Sequence, residues 1–312
     1  MPALYSEEPE NLKELASYFL SDITDYKTVI ENADLVLFYD ACAVQHHAAL
    51  SIQMQKTIGD YIKSKNGIII ITKCILMELG GDKHLLHPQI IIFFKTLAQN
   101  GIQLVLMEES NVFDLMADAY QSISRVNEIL RFAVRKFNLP TSTIRESIKA
   151  SKVLTALIGD GVISGDKDLC SLFFCTVKKN KQHQDNLGEQ LIGICLYMLM
   201  HLVAEPSFKF TVVTDDKGAA RIIYSGIKSI LSDVKDKRPA IFSSIKLLQK
   251  MFEEGFIKTE AELRQTIKSL YPKNVTVLAL MEKSDLETTE YTFTAEELAG
   301  LIAAGNEIRV GF

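Results

Sequence analysis

The sequence predicts an α/β fold in which helices cover both faces of a central parallel sheet, giving three α/β/α layers. Four short apolar runs rich in β-branched residues are typical of strands that are buried on both faces. They comprise residues 33–39, 67–72, 102–107 and 208–213. Longer segments with apolar residues at helical spacing separate them, and this alternation favours right-handed crossover connections.

Helices are predicted between and after these runs from the spacing of apolar residues. Residues 111–137 and 142–157 predict consecutive helices with no strand between them, so we expect an inserted helical arm at about residues 111–182. The other predicted helices are residues 45–63, 88–99, 189–203, 217–231, 242–254 and 260–270.

Three regions are predicted along the chain. They are an N-terminal helical extension (1–32), a main α/β domain (33–272) and a small C-terminal α/β extension (273–312). The last region has strand-like runs at 274–280 and 291–294, followed by Thr294 as the N-cap of a helix. Because its strand-like runs can pair at an edge, we expect this extension to serve association rather than chemistry.

The composition is that of a folded protein, with 312 residues of which 47% are hydrophobic and 23% charged. The net charge of −5 argues against a protein that coats nucleic acid indiscriminately, because that requires many Lys and Arg contacts to phosphate. The five cysteines lack CxxC spacing and predict neither a disulfide framework nor a zinc ribbon. The N-terminal residues form no apolar signal segment, and the most apolar run, residues 191–204, is too short to span a bilayer. We therefore expect a cytoplasmic protein that has no membrane partner.

Acidic residues directly follow two of the predicted strands. Asp40 comes after the first apolar run, and Asp215 and Asp216 come after the fourth. In an open parallel sheet the ligand crevice lies at the carboxyl ends of the strands, where strand order reverses, so these acids can face one site. Glu78 lies six residues past the second run on a short helix and is a third candidate. A single Asp at a strand end is more often a turn former or helix cap, so the prediction depends on the combination.

A fourth acidic position comes from Asp185 and Glu189, whose spacing of four places both carboxylates on one helical face. Glu189 follows Gly188 and opens an apolar helical run. Asp185 precedes Asn186 and fits better as a helix N-cap, and it is kept as the alternative ligand.

The acidic segments resemble, in the same order, the motifs of the PIN domain family, which includes VapC-like toxin ribonucleases and related uncharacterised bacterial proteins. They are LVLFYDA around Asp40, ITKCILMEL ending near Glu78, LGEQLIGICLYM containing Glu189, and VVTDDKGA containing Thr214 and Asp216. The segment PAIFSSIKLLQKMFEEGFI is similar to the one that follows the last acid in one PIN subgroup. The resemblance covers residues 33–270 apart from the helical arm, and Cys42 stands where the family often has Asn or Ser.

The resemblance implies a metal-dependent endoribonuclease that hydrolyses phosphodiester bonds of single-stranded RNA with Mg²⁺ or Mn²⁺. Such cations prefer oxygen ligands and lower the pKa of a bound water, and in two-metal sites a second ion lies about 3.5 to 4 Å away. The implied roles are Asp40 and Asp216 as principal ligands, Glu189 as a third, Glu78 as an outer or water-orienting group, and Thr214 as a contact to water or phosphate. Because carboxylates held this closely repel one another, we expect raised and coupled pKa values.

RNA is the implied partner, and the resemblance leaves open a protein partner such as an antitoxin, or a homodimer. A basic cluster lies just upstream of the third acidic motif. It consists of Lys178, Lys179, Lys181 and His183. These side chains either contact the RNA backbone or form a solvated surface.

Other interpretations are weighed against a nuclease. A PIN fold that has lost catalysis would serve as a binding or scaffold module, and metal-dependent cleavage would separate the two. A response-regulator-like receiver also gathers acids at strand ends, but it needs a phosphorylatable Asp on its central strand and a Lys at a later strand end. The absence of GxGxxG after the first strand argues against dinucleotide binding, and the absence of GxSxG argues against a serine hydrolase.

Overall fold

Six strands form one parallel sheet in the order β1-β4-β3-β2-β5-β6. The strands are β1 (Phe19–Leu20), β2 (Leu35–Tyr39), β3 (Gly67–Thr72), β4 (Leu104–Met107), β5 (Phe210–Val213) and β6 (Ala240–Phe242). The structure is a computed structural model. It describes residues 8–140, 142–159, 169–182, 185–202, 209–228, 239–279, 289–306 and 308.

Strand β2 lies at the centre of the sheet and pairs with β3 on one side and β5 on the other. Leu37 is in register with Ile69 of β3 and with Thr211 of β5. The chain forms β3 and β4 on one side of β2 before it crosses to β5 and β6 on the other. The strand order therefore reverses between β2 and β5, where a parallel sheet offers a ligand crevice at its carboxyl edge.

Helices pack on both faces of this sheet, so the predicted three-layer α/β/α fold is confirmed. The helices are α1 (Ile23–Asn32), α2 (Ala41–Ala48), α3 (Ile52–Ser64), α4 (Lys73–Gly80), α5 (Pro88–Gln99), α6 (Val112–Tyr120), α7 (Ile123–Phe137), α8 (Thr143–Ala150), α9 (Lys152–Ile158), α10 (Leu169–Lys179), α11 (Leu187–Met200), α12 (Lys217–Lys228), α13 (Ser244–Glu253), α14 (Glu260–Leu270) and α15 (Ala295–Ala303). Short 3₁₀ turns occur at Glu10–Leu15, Gly81–Lys83 and Glu109–Asn111.

Three predicted helices are divided by local backbone signals. The segment 142–157 forms α8 and α9, because the hydroxyl of Ser151 accepts a hydrogen bond from Leu154 N at 3.3 Å and starts a new helix. The segment 45–63 forms α2 and α3, because the hydroxyl of Ser51 accepts a hydrogen bond from Met54 N at 3.2 Å and starts a new helix. The segment 111–137 forms α6 and α7, because Gln121 adopts a left-handed conformation with φ 49° that ends the first helix.

Two short edge strands were missed from sequence. Strand β1 lies in the segment predicted as a helical extension and pairs with β4, and β6 pairs with β5 at the other edge. They have only two and three residues, too few for a recognisable apolar run.

The helical arm packs against α11, which is buried along all 14 of its residues. The ring of Phe137 from α7 lies against Gly193 of α11 and Gly226 of α12. An added Cβ at either glycine would fall 2.3 Å from Cε1 of Phe137. The two glycines therefore permit close packing of the arm on the helices that adjoin the sheet.

The C-terminal region contains the two predicted strands, β7 (Val275–Ala279) and β8 (Thr289–Phe293), paired antiparallel. Helix α15 follows with the predicted N-cap at Thr294, in a capping box completed by Glu297. This helix packs on α14, so the C-terminal region is docked on the main domain. Its role in association remains a prediction.

Within the part of the chain that the structure describes, every helix is too short or too polar to span a bilayer.

The close approach at Gly193 predicts a large cost for Gly193→Ala, because Phe137 would have to move within a packed interface. We expect a loss of about 1–3 kcal/mol in the free energy of unfolding, measured by urea denaturation. Gly300→Ala in α15 is the matched control, since its added Cβ would meet nothing nearer than Glu260 Oε1 at 3.8 Å. That variant should be neutral or stabilised by about 0.5–1 kcal/mol, and equal losses in both variants would contradict the packing interpretation.

Candidate functional site

An open pocket of about 610 Å³ lies at the carboxyl ends of β2 and β5 and is rich in carboxylates. Its acidic lining residues are Asp40, Glu78, Asp82, Asp185, Glu189 and Asp216. The structure thus brings together all five acids that were predicted as site residues. Asp82 was not predicted, and its position four residues after Glu78 is its only signal in the sequence.

Asp40 accepts three hydrogen bonds. It directly follows β2, and its Oδ1 caps α2 by accepting from Ala41 N at 2.8 Å. Its Oδ2 accepts from the Thr214 hydroxyl at 2.8 Å and the Cys42 thiol at 3.0 Å. Burial raises the pKa of Asp40, and the hydrogen bonds from Cys42 and Thr214 oppose that effect.

Thr214 and Cys42 join the acids of β2 and β5 beneath the pocket. Thr214 is fully buried, and its oxygen accepts from Asp216 N at 3.1 Å while its proton goes to Asp40. It therefore positions two acids, and the predicted contact of Thr214 with water or phosphate is corrected. Cys42 also accepts from Asp215 N at 3.2 Å, so a thiol fills the place where the PIN family often has Asn or Ser.

Asp216 lies at the mouth of the pocket and caps α12. Its Oδ1 accepts from Gly218 N at 2.6 Å and from Ala219 N at 3.2 Å. The residue is exposed, so its carboxylate is accessible to a ligand in the pocket.

Asp215 is directed away from this pocket, although it is adjacent to Asp216. Its carboxylate accepts from Ser244 N at 2.6 Å and the Ser244 hydroxyl at 2.5 Å, and it pairs with His46 Nδ1 at 2.6 Å. Burial alone would raise the pKa of Asp215, but the hydrogen bonds from His46 and Ser244 hold it below its usual range. Asp215 therefore fastens the start of α13 to the end of β5.

Glu78 shares the pocket with a buried ammonium group. The side chain of Lys181 is 1% exposed, and its Nζ lies 2.7 Å from Glu78 Oε1 and 2.8 Å from Asp185 Oδ1. Burial raises the pKa of Glu78 to about 7 even though Lys181 opposes the shift. Burial alone would lower the pKa of Lys181, but the neighbouring carboxylates raise it.

Asp185 is held by Lys181 and by three further hydrogen-bond donors. Besides Lys181, it accepts from Gln182 N at 2.8 Å, the Thr143 hydroxyl at 2.5 Å and Leu187 N at 3.3 Å. The N-cap of α11 is Asn186, one residue later than predicted. Asp185 nevertheless satisfies a donor of the first turn, which is the function expected of a cap.

Glu189 is the pocket acid whose buried oxygen lacks a hydrogen-bond partner among the described residues. It is 8% exposed, and its Oε2 is buried with no hydrogen-bond partner among the described residues. Burial, together with the charges of Glu78 and Asp40, raises the pKa of Glu189 to about 9. A buried carboxylate of this kind needs a proton or a cation.

The predicted rise in pKa is confirmed for Asp40, Glu78 and Glu189. In each of them burial raises the pKa more than the repulsion between the acids does.

The donor set fits a hard divalent cation in its chemistry, since it supplies carboxylate oxygens from α4, from α11 and from the residues that follow β2 and β5, and one of those oxygens lacks a partner. Across the described ranges, no three His, Cys, Asp or Glu side chains stand close enough to hold a metal as they are placed. Binding of an ion would therefore require side-chain rotation towards the centre of the pocket.

The prediction that the basic cluster either contacts RNA or forms a solvated surface is wrong for Lys178 and Lys181, which are buried. Lys178 is buried and pairs with Glu108 and with Glu109, the latter at 3.1 Å, and burial lowers the pKa of Lys178 to about 8. Lys181 is buried in the pocket, so neither side chain is available to an RNA backbone. Lys179 is exposed, and His183 lies outside the described residues.

No family model, curated protein or solved structure matches the chain. The similarity to PIN domains therefore depends on the short acidic motifs. The placement of those motifs in one pocket is an independent physical observation.

Glu189→Gln should stabilise the metal-free protein increasingly as the pH rises. Below pH 4.5, which is the ordinary pKa of glutamate, Glu189 is protonated in both the folded and the unfolded chain. Between pH 4.5 and about pH 9 only the folded chain keeps this proton. The wild-type free energy of unfolding therefore falls with pH by on the order of 1 kcal/mol per unit from this group, and the variant avoids that loss. Melting temperatures of both proteins in EDTA, from pH 5 to 9, measure the difference.

Wild type and variant share the other charged groups that face Glu189, namely Asp40, Glu78 and Lys181, so the difference isolates Glu189. Asp185→Asn is the control, because it removes a satisfied carboxylate and should destabilise by about 1–3 kcal/mol. A Glu189→Gln gain that stays constant with pH would refute the assigned environment.

Proposed function

We propose that this chain is a metal-dependent endoribonuclease of the PIN type that hydrolyses phosphodiester bonds of single-stranded RNA with Mg²⁺ or Mn²⁺. The observation that carries the proposal is the open carboxylate pocket at the strand-order reversal, in which Glu189 has a buried oxygen without a partner. The order of the acidic motifs along the sequence supports the same activity.

Asp40, Glu189 and Asp216 are the residues that would hold the metal, with Glu78 beside them. The bound cation would lower the pKa of a water molecule and offset the charge that develops on the phosphate. No nucleophilic side chain is required in such a reaction. The exposed position of Asp216 leaves the mouth of the pocket accessible to an extended strand.

The surrounding side chains fix the orientation of these acids. Thr214 and Cys42 both donate to Oδ2 of Asp40 and keep that carboxylate from rotating freely. Thr214 also accepts from the backbone of Asp216, which links the two principal acids through one hydroxyl. Positioning through a buried neighbour is how ligand carboxylates are usually held in metal sites.

Single-stranded RNA is the proposed substrate class. A protein with a net charge of −5 gains little from the charge density of duplex DNA. With Lys178 and Lys181 buried in ion pairs, neither contributes a basic track beside the pocket. Affinity for RNA would then come mainly through phosphate at the metal.

A second candidate function is a PIN-fold binding or scaffold module without catalysis. The observation that favours it is the Lys181 ammonium, which already neutralises part of the acidic pocket. Such a module would bind its partner without divalent metal and would cleave no RNA.

Asp216→Asn should abolish RNA cleavage while leaving the fold intact. Asn is as good an N-cap as Asp, so α12 keeps its cap, whereas the charge that would hold the metal is lost. We expect cleavage of end-labelled single-stranded RNA with Mg²⁺ or Mn²⁺ to fall by more than about 100-fold. Parallel reactions in EDTA establish the metal requirement.

Asp60→Asn is the matched control, since it neutralises a carboxylate on α3 that bonds only to Asn100 in the structure described and lies outside the pocket. It should cleave as the wild type does. Wild-type protein that cleaves in none of these metals, or an Asp216→Asn variant of full activity, would exclude the nuclease and favour the scaffold.

A further inference from the structure

Lys181 is a cation that the chain itself places in the acidic pocket. It follows the last turn of α10, and its Nζ lies between Glu78 and Asp185 at 2.7 and 2.8 Å. Burying an ammonium group is costly unless it is paired and hydrogen-bonded, and both of these carboxylates supply that pairing. Lys181 is therefore a permanent counter-ion of one side of the pocket.

The pocket is divided into two sides by this pairing. On the Lys181 side, Glu78 and Asp185 have a cation at hydrogen-bond distance. On the other side, Asp40 is held by neutral donors and Glu189 keeps one buried oxygen without a partner among the described residues. Among the described lining residues, a buried carboxyl oxygen without a hydrogen-bond partner thus lies on the Glu189 side only.

We infer that Lys181 occupies the place of a second cation, so that this pocket binds a single divalent ion per chain on the side of Asp40, Glu189 and Asp216. This inference rests on the proposed function, and it replaces the two-metal arrangement with one metal and one ammonium. Lys181 acts through Glu78 as a positioning residue, because its own buried side chain is out of reach of substrate.

Physical chemistry favours the tethered ammonium over a second ion. A second Mg²⁺ would have to give up part of its hydration shell, which it does reluctantly. The Lys181 side chain is covalently attached to the chain beside Glu78, so it loses no translational freedom when it pairs with that residue. Its single charge also leaves the pocket able to attract one further cation, because the described residues that line it supply six acidic side chains and one ammonium group.

The inference is tested by counting bound Mn²⁺ on the full-length protein, with free Mn²⁺ followed by electron paramagnetic resonance during titration. The wild type should bind one Mn²⁺ per chain. Lys181→Met should bind two, because Glu78 and Asp185 are released to a second ion. Lys179→Met, which removes an exposed ammonium two residues away, should bind one.

The outcomes separate the inference from the proposed function. A wild type that binds two Mn²⁺ and cleaves RNA would overturn the inference and leave the nuclease standing, whereas a wild type that binds none would remove both. One Mn²⁺ in folded Lys181→Met would show that Lys181 does not exclude a second ion. If loss of the buried counter-ion prevents Lys181→Met from folding, the wild-type count still decides, and Lys181→Arg, which keeps the charge, should bind one.

Discussion

At the centre of the sheet β2 and β5 run side by side, although β3 and β4 lie between them in the chain. An acid of the pocket follows each strand, Asp40 directly after β2 and Asp216 three residues after β5, and parallel pairing brings both strand ends to the same edge. The carboxylates would repel one another in isolation. Here each one caps the helix that follows its strand, so backbone N–H groups offset part of the charge that the pocket concentrates.

Below the pocket, the hydroxyl of Thr214 and the thiol of Cys42 link the two strand ends. Both groups donate to Asp40 and accept from the backbone that follows β5, so the positions of Asp40 and Asp216 depend on each other. Asp215 faces the opposite direction and fixes α13 through Ser244. The two adjacent acids therefore have different roles. Asp216 faces the pocket, and Asp215 holds α13 to the end of β5.

The central part of this architecture could be predicted from the sequence because its signals are local. Buried parallel strands are continuous apolar runs, and acids that directly follow them must lie at the carboxyl edge. Edge strands of two or three residues carry no such signal, and β1 and β6 were missed. The environment of Lys181 was not predictable either. A lysine in a short charged segment looks like a surface residue, and only the tertiary structure, in which Lys181 pairs with Glu78 and Asp185, shows that it is buried.

The end of the helical arm forms ion pairs with acids that lie at both ends of α4. Lys178 and Lys181 are three residues apart at the end of α10, and each pairs with an acid at a different end of α4. Lys178 binds Glu109, whose carboxylate accepts from Cys74 N at 2.7 Å in the first turn of α4, while Lys181 binds Glu78 near its last turn. Because α4 is held at both ends, the position of Glu78 in the pocket depends on the docking of the arm. Displacement of α10 would release both pairs together and leave the partly buried Glu78 and the fully buried Glu109 without their ammonium partners, and so be strongly opposed. The arm is therefore part of the framework that positions the acidic pocket.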